Sequence, residues 1–246
     1  MILRSTLMFF LLLGIGFNAS AQKEIVTQSN GWWMYFGNHR LSDRWGVHTE
    51  YQWRRHEFIS TWQQSLMRLG VDYFFENNSS LTAGYGWIKS FPYGEQPISQ
   101  EFTEHRIWQQ WILNQRAGRL YVNHRYRLEQ RFLERPAQDD YVFRQRVRYR
   151  LMLTMPIGAK DLQDNSLFVS VYAEPFLGFG EGIGRNILDQ NRLSLTLGYR
   201  FNPNVNLQAG YLNQYIVKPD GIQQERNHNF QLGLTYNLDL RQGQGE

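Results

Sequence analysis

The chain has 246 residues, with 26 lysines and arginines against 22 aspartates and glutamates, and the resulting charge of +4 is too mild for a nucleic-acid-binding surface. It contains no cysteine, which excludes disulfides, thiolate metal sites and N-terminal lipidation together. Aromatic residues make up 15% of it, more than an average core uses and the proportion expected where amphipathic rings form girdles at membrane interfaces.

Arg4 precedes an apolar run from Leu7 to Phe17, and Ala19-Ser20-Ala21 has the small-residue pattern of a signal-peptidase site. Residues 1–21 are therefore expected to be a cleaved signal peptide, and 22–246 a single domain. The apolar run is too short for a spanning helix of roughly 20 residues, and no later run is both long enough and uncharged. Any membrane span must be made of strands.

The first clear segment of alternating polarity is Trp32 to Arg40, which turns at Ser42-Asp43-Arg44 into Trp45 to Arg54. There Trp45, Val47, Thr49, Tyr51 and Trp53 share one face, and His48, Glu50, Gln52 and Arg54 share the other. Gln63 to Phe75 follows with Met67, Leu69, Val71 and Tyr73 outward and Arg68 and Asp72 inward. Past the turn at residues 76–79, Leu81, Ala83, Tyr85 and Trp87 face outward while Gly84 and Gly86 face inward. A loop with Pro92, Gly94 and Pro97 leads to Glu104 to Leu113, which pairs with Leu120 to Phe132, whose inner face reads Tyr121, Asn123, Arg125, Arg127, Glu129, Arg131.

In the next segment, Val142 to Thr154, Arg144, Arg146, Arg148 and Arg150 alternate with Phe143, Val147, Tyr149, Leu151 and Leu153 over a whole strand length. Leu167 to Phe176 leads into a Gly-rich stretch from Gly178 to Asp189. That run lies between two strands rather than between a buried strand and a helix N-terminus, so it reads as an extracellular loop and not as a phosphate loop. Arg192 to Phe201 carries Leu193, Leu195, Leu197, Tyr199 and Phe201 on one face, turns tightly at Asn202-Pro203-Asn204 into Val205 to Tyr215, and His228 to Leu238 closes the series.

Alternating segments of about ten residues separated by turns, one face oily and one charged, predict an all-β fold: a single transmembrane antiparallel up-and-down β-barrel of 10–12 strands. Eleven segments are clear, whereas a single-chain bacterial barrel is expected to have an even number. Counting Glu24 to Ser29, with Ile25 and Val26, as a weak further strand makes twelve, the favoured number; merging one region makes ten. Short connectors are expected in the periplasm and long ones outside.

Several stretches, Arg40-Leu41-Ser42-Asp43-Arg44-Trp45-Gly46, Leu81-Thr82-Ala83-Gly84-Tyr85, Glu104-His105-Arg106-Ile107-Trp108-Gln109-Gln110, Asp189-Gln190-Asn191-Arg192 and Asn237-Leu238-Asp239-Leu240-Arg241, carry a resemblance that runs from about residue 28 to 241. In combination they resemble the domain of unknown function 2490 (DUF2490) family, predicted outer-membrane β-barrels of Bacteroidota and relatives. The resemblance implies a single barrel in the cell outer membrane and carries over no activity and no catalytic residues. Arg241 to Glu246 extend beyond the last strand, so recognition by the barrel-insertion machinery is expected to rest on Tyr236 and Leu238.

Twelve arginines against five carboxylates fall on inward positions, and the densest group is Arg106, Arg125, Arg127, Glu129, Arg131, Arg144, Arg146, Arg148 and Arg150. Such a cluster either fills a narrow lumen with an ion-pair network or lines a pore that favours small anionic solutes; an anionic lipid is a third ligand. For catalysis, His48 beside Glu50, and His105 near Glu104 or Glu101, are the residues to inspect. Strand geometry brings i and i+2 together routinely, so His48 beside Glu50 predicts no enzyme, and His105 is expected at the headgroup girdle rather than in a surface pocket. His124 falls on the outer face in mid-strand, which requires a local bulge or a place near an interface. No histidine pair has metal-ligand spacing, and no cofactor is expected. The reading is thus a structural or small-pore barrel in contact with outer-membrane lipids, with two alternatives: a rim-active enzyme on lipid or peptide, and a soluble periplasmic lipocalin-like binding barrel with its apolar face inside.

Overall fold

A computed structural model describes residues 24–95, 100–135, 137–180, 183, 187–218 and 220–241, and the expected signal peptide lies outside them. Eleven strands form: β1 (Glu24–Arg40), β2 (Trp45–His56), β3 (Thr61–Phe74), β4 (Ser79–Ser90), β5 (Phe102–Ala117), β6 (Leu120–Arg135), β7 (Asp140–Pro156), β8 (Ser166–Phe179), β9 (Leu188–Asn202), β10 (Val205–Val217) and β11 (Gln223–Tyr236). Each pairs with its neighbours in sequence, and β11 returns to β1 to close the barrel.

The favoured count of twelve and the wholly antiparallel sheet are corrected here. Glu24 to Ser29 is no separate strand but the first part of β1, paired with Gln223 to His228 of β11 before β2 begins to pair at Asn30. Strands that alternate in direction and are odd in number run the same way at the two ends of the series, so the β1·β11 closure is parallel, Trp32 opposite Gln231 and Phe36 opposite Thr235. All other pairs are antiparallel.

Alternation decides the faces. Leu193, Leu195 and Leu197 of β9 are each more than half exposed on the outside, as are Leu69 and Val71 of β3. Arg146, Arg148, Glu129 and Glu174, one position out of phase with such residues, are buried inside. The sheet is therefore apolar outward and polar inward, the reverse of a barrel that buries an oily core.

Tryptophans and phenylalanines also enter the lumen, where Trp32, Trp108 and Phe176 are almost fully buried. Room for Trp108 comes from Gly70 and Gly84, which oppose each other across β3 and β4. A Cβ on Gly84 would lie 2.2 Å from the Leu69 carbonyl oxygen and 2.8 Å from the Trp108 ring.

The connectors divide between two rims. Residues 41–44, 75–78, 118–119, 157–165 and 203–204 form a turn rim, and the described residues among the remaining connectors, 57–60, 91–95, 100–101, 137–139, 180, 183, 187, 218 and 220–222, lie at the opposite, loop rim. On the turn rim the Asn202 side chain accepts from the backbone N–H of Asn204 and Val205, the Asx turn that its sequence suggests. Residues past β11 lie against the same rim, where Arg40 N–H donates to the Leu238 carbonyl and Arg241 pairs with Asp43. On the loop rim Tyr93 is buried and donates from its hydroxyl to Glu225 at 3.3 Å. Burial and the Glu225 carboxylate push the Tyr93 phenol well above its ordinary value.

Candidate functional site

β6 and β7 set arginine opposite arginine: Arg125 faces Arg150, Arg127 faces Arg148 and Arg131 faces Arg144, with Glu129 opposite Arg146 the only acid–base rung among them. Like charges directly opposite are unfavourable, so the neutralising carboxylates have to come from other strands. Most do. Glu129, fully buried, accepts from Arg146 at 2.5 and 2.9 Å, from Arg148 at 2.8 Å and from Arg106 at 3.4 Å. Arg68 of β3 reaches it across the lumen at 3.6 Å.

Glu174 of β8 accepts from Arg125 at 2.7 Å and from Arg148 at 2.9 and 3.0 Å. Glu104 of β5 takes a two-pronged contact from Arg131, at 2.7 and 3.0 Å, and a third from Arg106 at 2.7 Å. Glu50 of β2 pairs with Arg68 at 2.5 Å, and Asp189 at the start of β9 pairs with Arg146 at 2.6 Å. A continuous ionic chain thus runs Glu50, Arg68, Glu129, Arg148, Glu174, from β2 to β8 through the middle of the barrel. Guanidinium forks suit this role because each can satisfy two acceptors in different directions.

The layer stands between two cavities. A wide vestibule of about 560 Å³ opens toward the turn rim, reaching Asn38, Ser79, Asn114 and Asn237. A narrow one of about 190 Å³ lies toward the loop rim, beneath Phe91 and Tyr93. Arg68, Arg148 and Arg192 border both and so form the partition.

Not every inward arginine is neutralised. Among the described residues, Arg54, Arg127, Arg144, Arg150 and Arg192 have no carboxylate within ion-pair distance. Amides and rings hold four of them. Arg127 donates twice to Gln110 Oε1, at 2.6 and 3.1 Å, and lies over Trp108 at 4.8 Å. Arg54 lies 3.8 Å over Trp32, and Arg192 stands between Trp32 at 5.0 Å and Phe176 at 4.8 Å. Arg150 donates to Asn123 at 2.9 Å. These planar contacts give the cations attraction without a counter-charge.

The lumen accordingly contains an ion-pair network and, beside it, arginines without a carboxylate partner. Arg106, Arg125, Arg131, Arg146, Arg148 and Glu129 join the ion-pair layer; Arg127 and Arg150 stay uncompensated on the vestibule wall; Arg144 is half-buried and borders neither cavity. Glu129 supplies the only buried acid on β6 and β7 among the described residues, but Glu50, Glu104, Glu174 and Asp189 add the rest from outside those strands. Asp189 escaped sequence reasoning because it follows the Gly-rich stretch. The inward rings escaped it because aromatics were assigned to the girdles, although Trp108 shares the parity of Glu104 and Arg106, and Phe176 that of Glu174.

His48 does lie on the inner face, 3.5 Å from Glu50 and 2.6 Å from Asn38, with its ring edge-on to Trp108. His105 is on the outer face, hydrogen-bonded to Tyr85 at 2.5 Å and beside Tyr141. His124 needs no bulge, since β6 pairs in continuous register on both sides and the ring stacks on Tyr149 among outward aromatics. Among the described residues no group of three or more His, Asp or Glu is placed to hold a metal ion.

No curated protein and no solved structure matches the chain. Residues 29–239 match the family described as protein of unknown function (DUF2490), and with that match covering most of its length the chain belongs to this family.

Proposed function

We propose that the protein is an outer-membrane β-barrel whose lumen is closed at mid-height by its own ion pairs and favours small anions on the turn-rim side. The observation that carries this reading is the inverted distribution of polarity. Exposed Leu, Val, Tyr and Trp surround the outside, while arginines and glutamates fill the inside. Only a non-aqueous exterior makes that arrangement favourable, because exposing such a belt to water forfeits about 25 cal/mol per Å² of apolar surface. Strands of 12 to 17 residues exceed the roughly 9–11 needed to cross a bilayer with tilt. A signal peptide at residues 1–21 would route the chain to the insertion machinery, and the Tyr–His and Trp pairs on the outer face suit contact with outer-membrane lipids. A lipocalin-like binding barrel needs the opposite polarity, and a rim enzyme needs a nucleophile beside His48 or His105; Asn38, Glu50 and Trp108 surround the first, Tyr85 and Tyr141 the second.

Two measurements test the reading. The chain is expected in the outer-membrane fraction with heat-modifiable gel mobility, and recovery only as a soluble periplasmic protein would refute membrane insertion. In planar bilayers under a salt gradient, at most small currents with anion selectivity are expected; large non-selective steps would refute the closed lumen.

A further inference from the structure

We propose that the wide vestibule is a binding site for a phosphate group, carried as free phosphate or as a phosphate monoester, held by Arg125, Arg127, Arg150 and Arg192. The proposal deepens the anion-favouring reading by naming the ligand chemistry, and it requires the vestibule but not membrane insertion.

The register places the cations. Arg125 opposes Arg150 and Arg127 opposes Arg148, so four guanidinium-bearing positions form a block on two adjacent strands. Arg192 enters from β9, opposite Glu174. Of the two carboxylates that line the vestibule among the described residues, Glu50 is taken by Arg68, and Arg125 and Arg148 already share Glu174. Arg127, Arg150 and Arg192 are left with no counter-charge among the described residues.

Donor capacity is left over as well. The Nε atoms of Arg125 and Arg150 are buried in the wall without a hydrogen-bond partner, and buried unsatisfied donors on charged groups are costly. Rotation of the Arg125 and Arg150 guanidinium groups onto a vestibule ligand that Arg127 and Arg192 also reach would satisfy the donors and relieve the cation–cation repulsion together. A phosphate dianion meets that demand better than a carboxylate or a halide. Its tetrahedral oxygens accept guanidinium forks from several directions, whereas a carboxylate offers one plane and a halide no directionality. Tyr172 and Trp32 adjoin Arg150 and Arg192, line the vestibule and offer flat surface to the organic part of an ester. At about 560 Å³ the vestibule falls within the ~300–1,000 Å³ usual for small-molecule sites.

The test is calorimetric titration of the purified full chain in detergent with inorganic phosphate and, separately, with glycerol 3-phosphate. Saturable binding of one or both is expected, and which probe binds more tightly separates the free ion from the ester. Arg127→Gln and Arg150→Gln should each weaken the affinity about tenfold or more, the loss expected for one charge-assisted contact. Arg144→Gln, on the same face but outside both cavities, should bind as the native chain does. Heat-modifiable mobility of every variant shows that the barrel is folded and reads membrane insertion independently of binding. Should either variant fail to fold, phosphate must still raise the unfolding temperature of the native chain where an equal ionic strength of chloride does not. No binding of either probe, equal binding by the Arg127 and Arg150 variants, or an equal loss in the Arg144 variant would overturn the proposal.

Discussion

Arg146 and Arg150 lie on one strand and one face, four residues apart, and meet opposite fates. Arg146 is pinned by Glu129 and Asp189; Arg150 has an asparagine and the face of a tyrosine. Nothing in the local sequence separates them. The difference is what the rest of the barrel delivers at each height: carboxylates from β5, β6, β8 and β9 in the mid-lumen layer, and amides or rings at the vestibule wall. An arginine-rich lumen is therefore two materials, a brace that holds strands together across the interior and a wall that keeps its charge for something else.

The comparison breaks most sharply at Glu129. Glu129→Gln removes the shared acceptor of Arg106, Arg146 and Arg148 while leaving all three buried. Arg106, Arg146 and Arg148 each keep one other carboxylate, Glu104, Asp189 and Glu174, but breaking a buried pair costs roughly 3–5 kcal/mol, so the urea midpoint of the barrel in lipid vesicles should fall strongly. The same change loosens the partition, and single-channel conductance should rise above that of the native chain. An unchanged midpoint would mean that the layer is no brace.

Glu174 belongs to both materials, and its replacement should divide the two readouts. Glu174→Gln removes the acceptor of two arginines, Arg125 and Arg148, where Glu129→Gln removes that of four, so stability falls, though by less than at Glu129. Phosphate affinity should move the other way, because the one carboxylate competing with the ligand is gone. Weaker phosphate binding in this variant, measured by the same titration, would show that Glu174 orients the arginines and does not compete.

Arg150→Gln and Arg127→Gln sharpen the contrast from the other side. Each forfeits amide or ring contacts but removes a like charge facing Arg125 or Arg148. The two terms oppose each other, and the urea midpoint should stay within about 1 kcal/mol of native. A loss as large as that for Glu129→Gln would place these residues in the brace.

How far the sequence reaches follows from the same contrast. Period-two alternation assigns a face, so the eleven alternating segments and the inward arginines are legible in the sequence, although the favoured count of twelve is not what forms. Alternation says nothing about height or azimuth. The Arg68–Glu129 contact joins residues on β3 and β6 that register alone does not pair, and only barrel closure brings them together. Closure itself was hidden, because a weak N-terminal segment extending β1 and a separate twelfth strand have the same composition. What settles it is the pairing partner of Ile25 and Val26, which lies on β11 at Gln224 and Glu225. Trp108 was legible after all: two glycines, Gly70 and Gly84, at one level of the inner face leave a space that a large inward ring must fill.

The narrow vestibule offers the smallest effect and the one with a change of sign. Tyr93 covers it from the loop rim and donates to Glu225, and burial together with that carboxylate raises its phenol above the ordinary value near 10. A raised folded value means that the neutral phenol contributes stability at all pH below the unfolded value, and that this contribution is lost as pH climbs from about 10 toward the folded value. Tyr93→Phe removes the hydrogen bond, about 1 kcal/mol, so the variant should be slightly less stable than native at neutral pH. It has no proton to lose. Above pH of about 10 the native chain should lose stability faster than the variant and the two unfolding curves should converge or cross. Parallel curves up to pH 11 would mean that the phenol is open to water and that the loop rim leaves the narrow vestibule uncovered, which would reduce the closed lumen to the ion-pair layer alone.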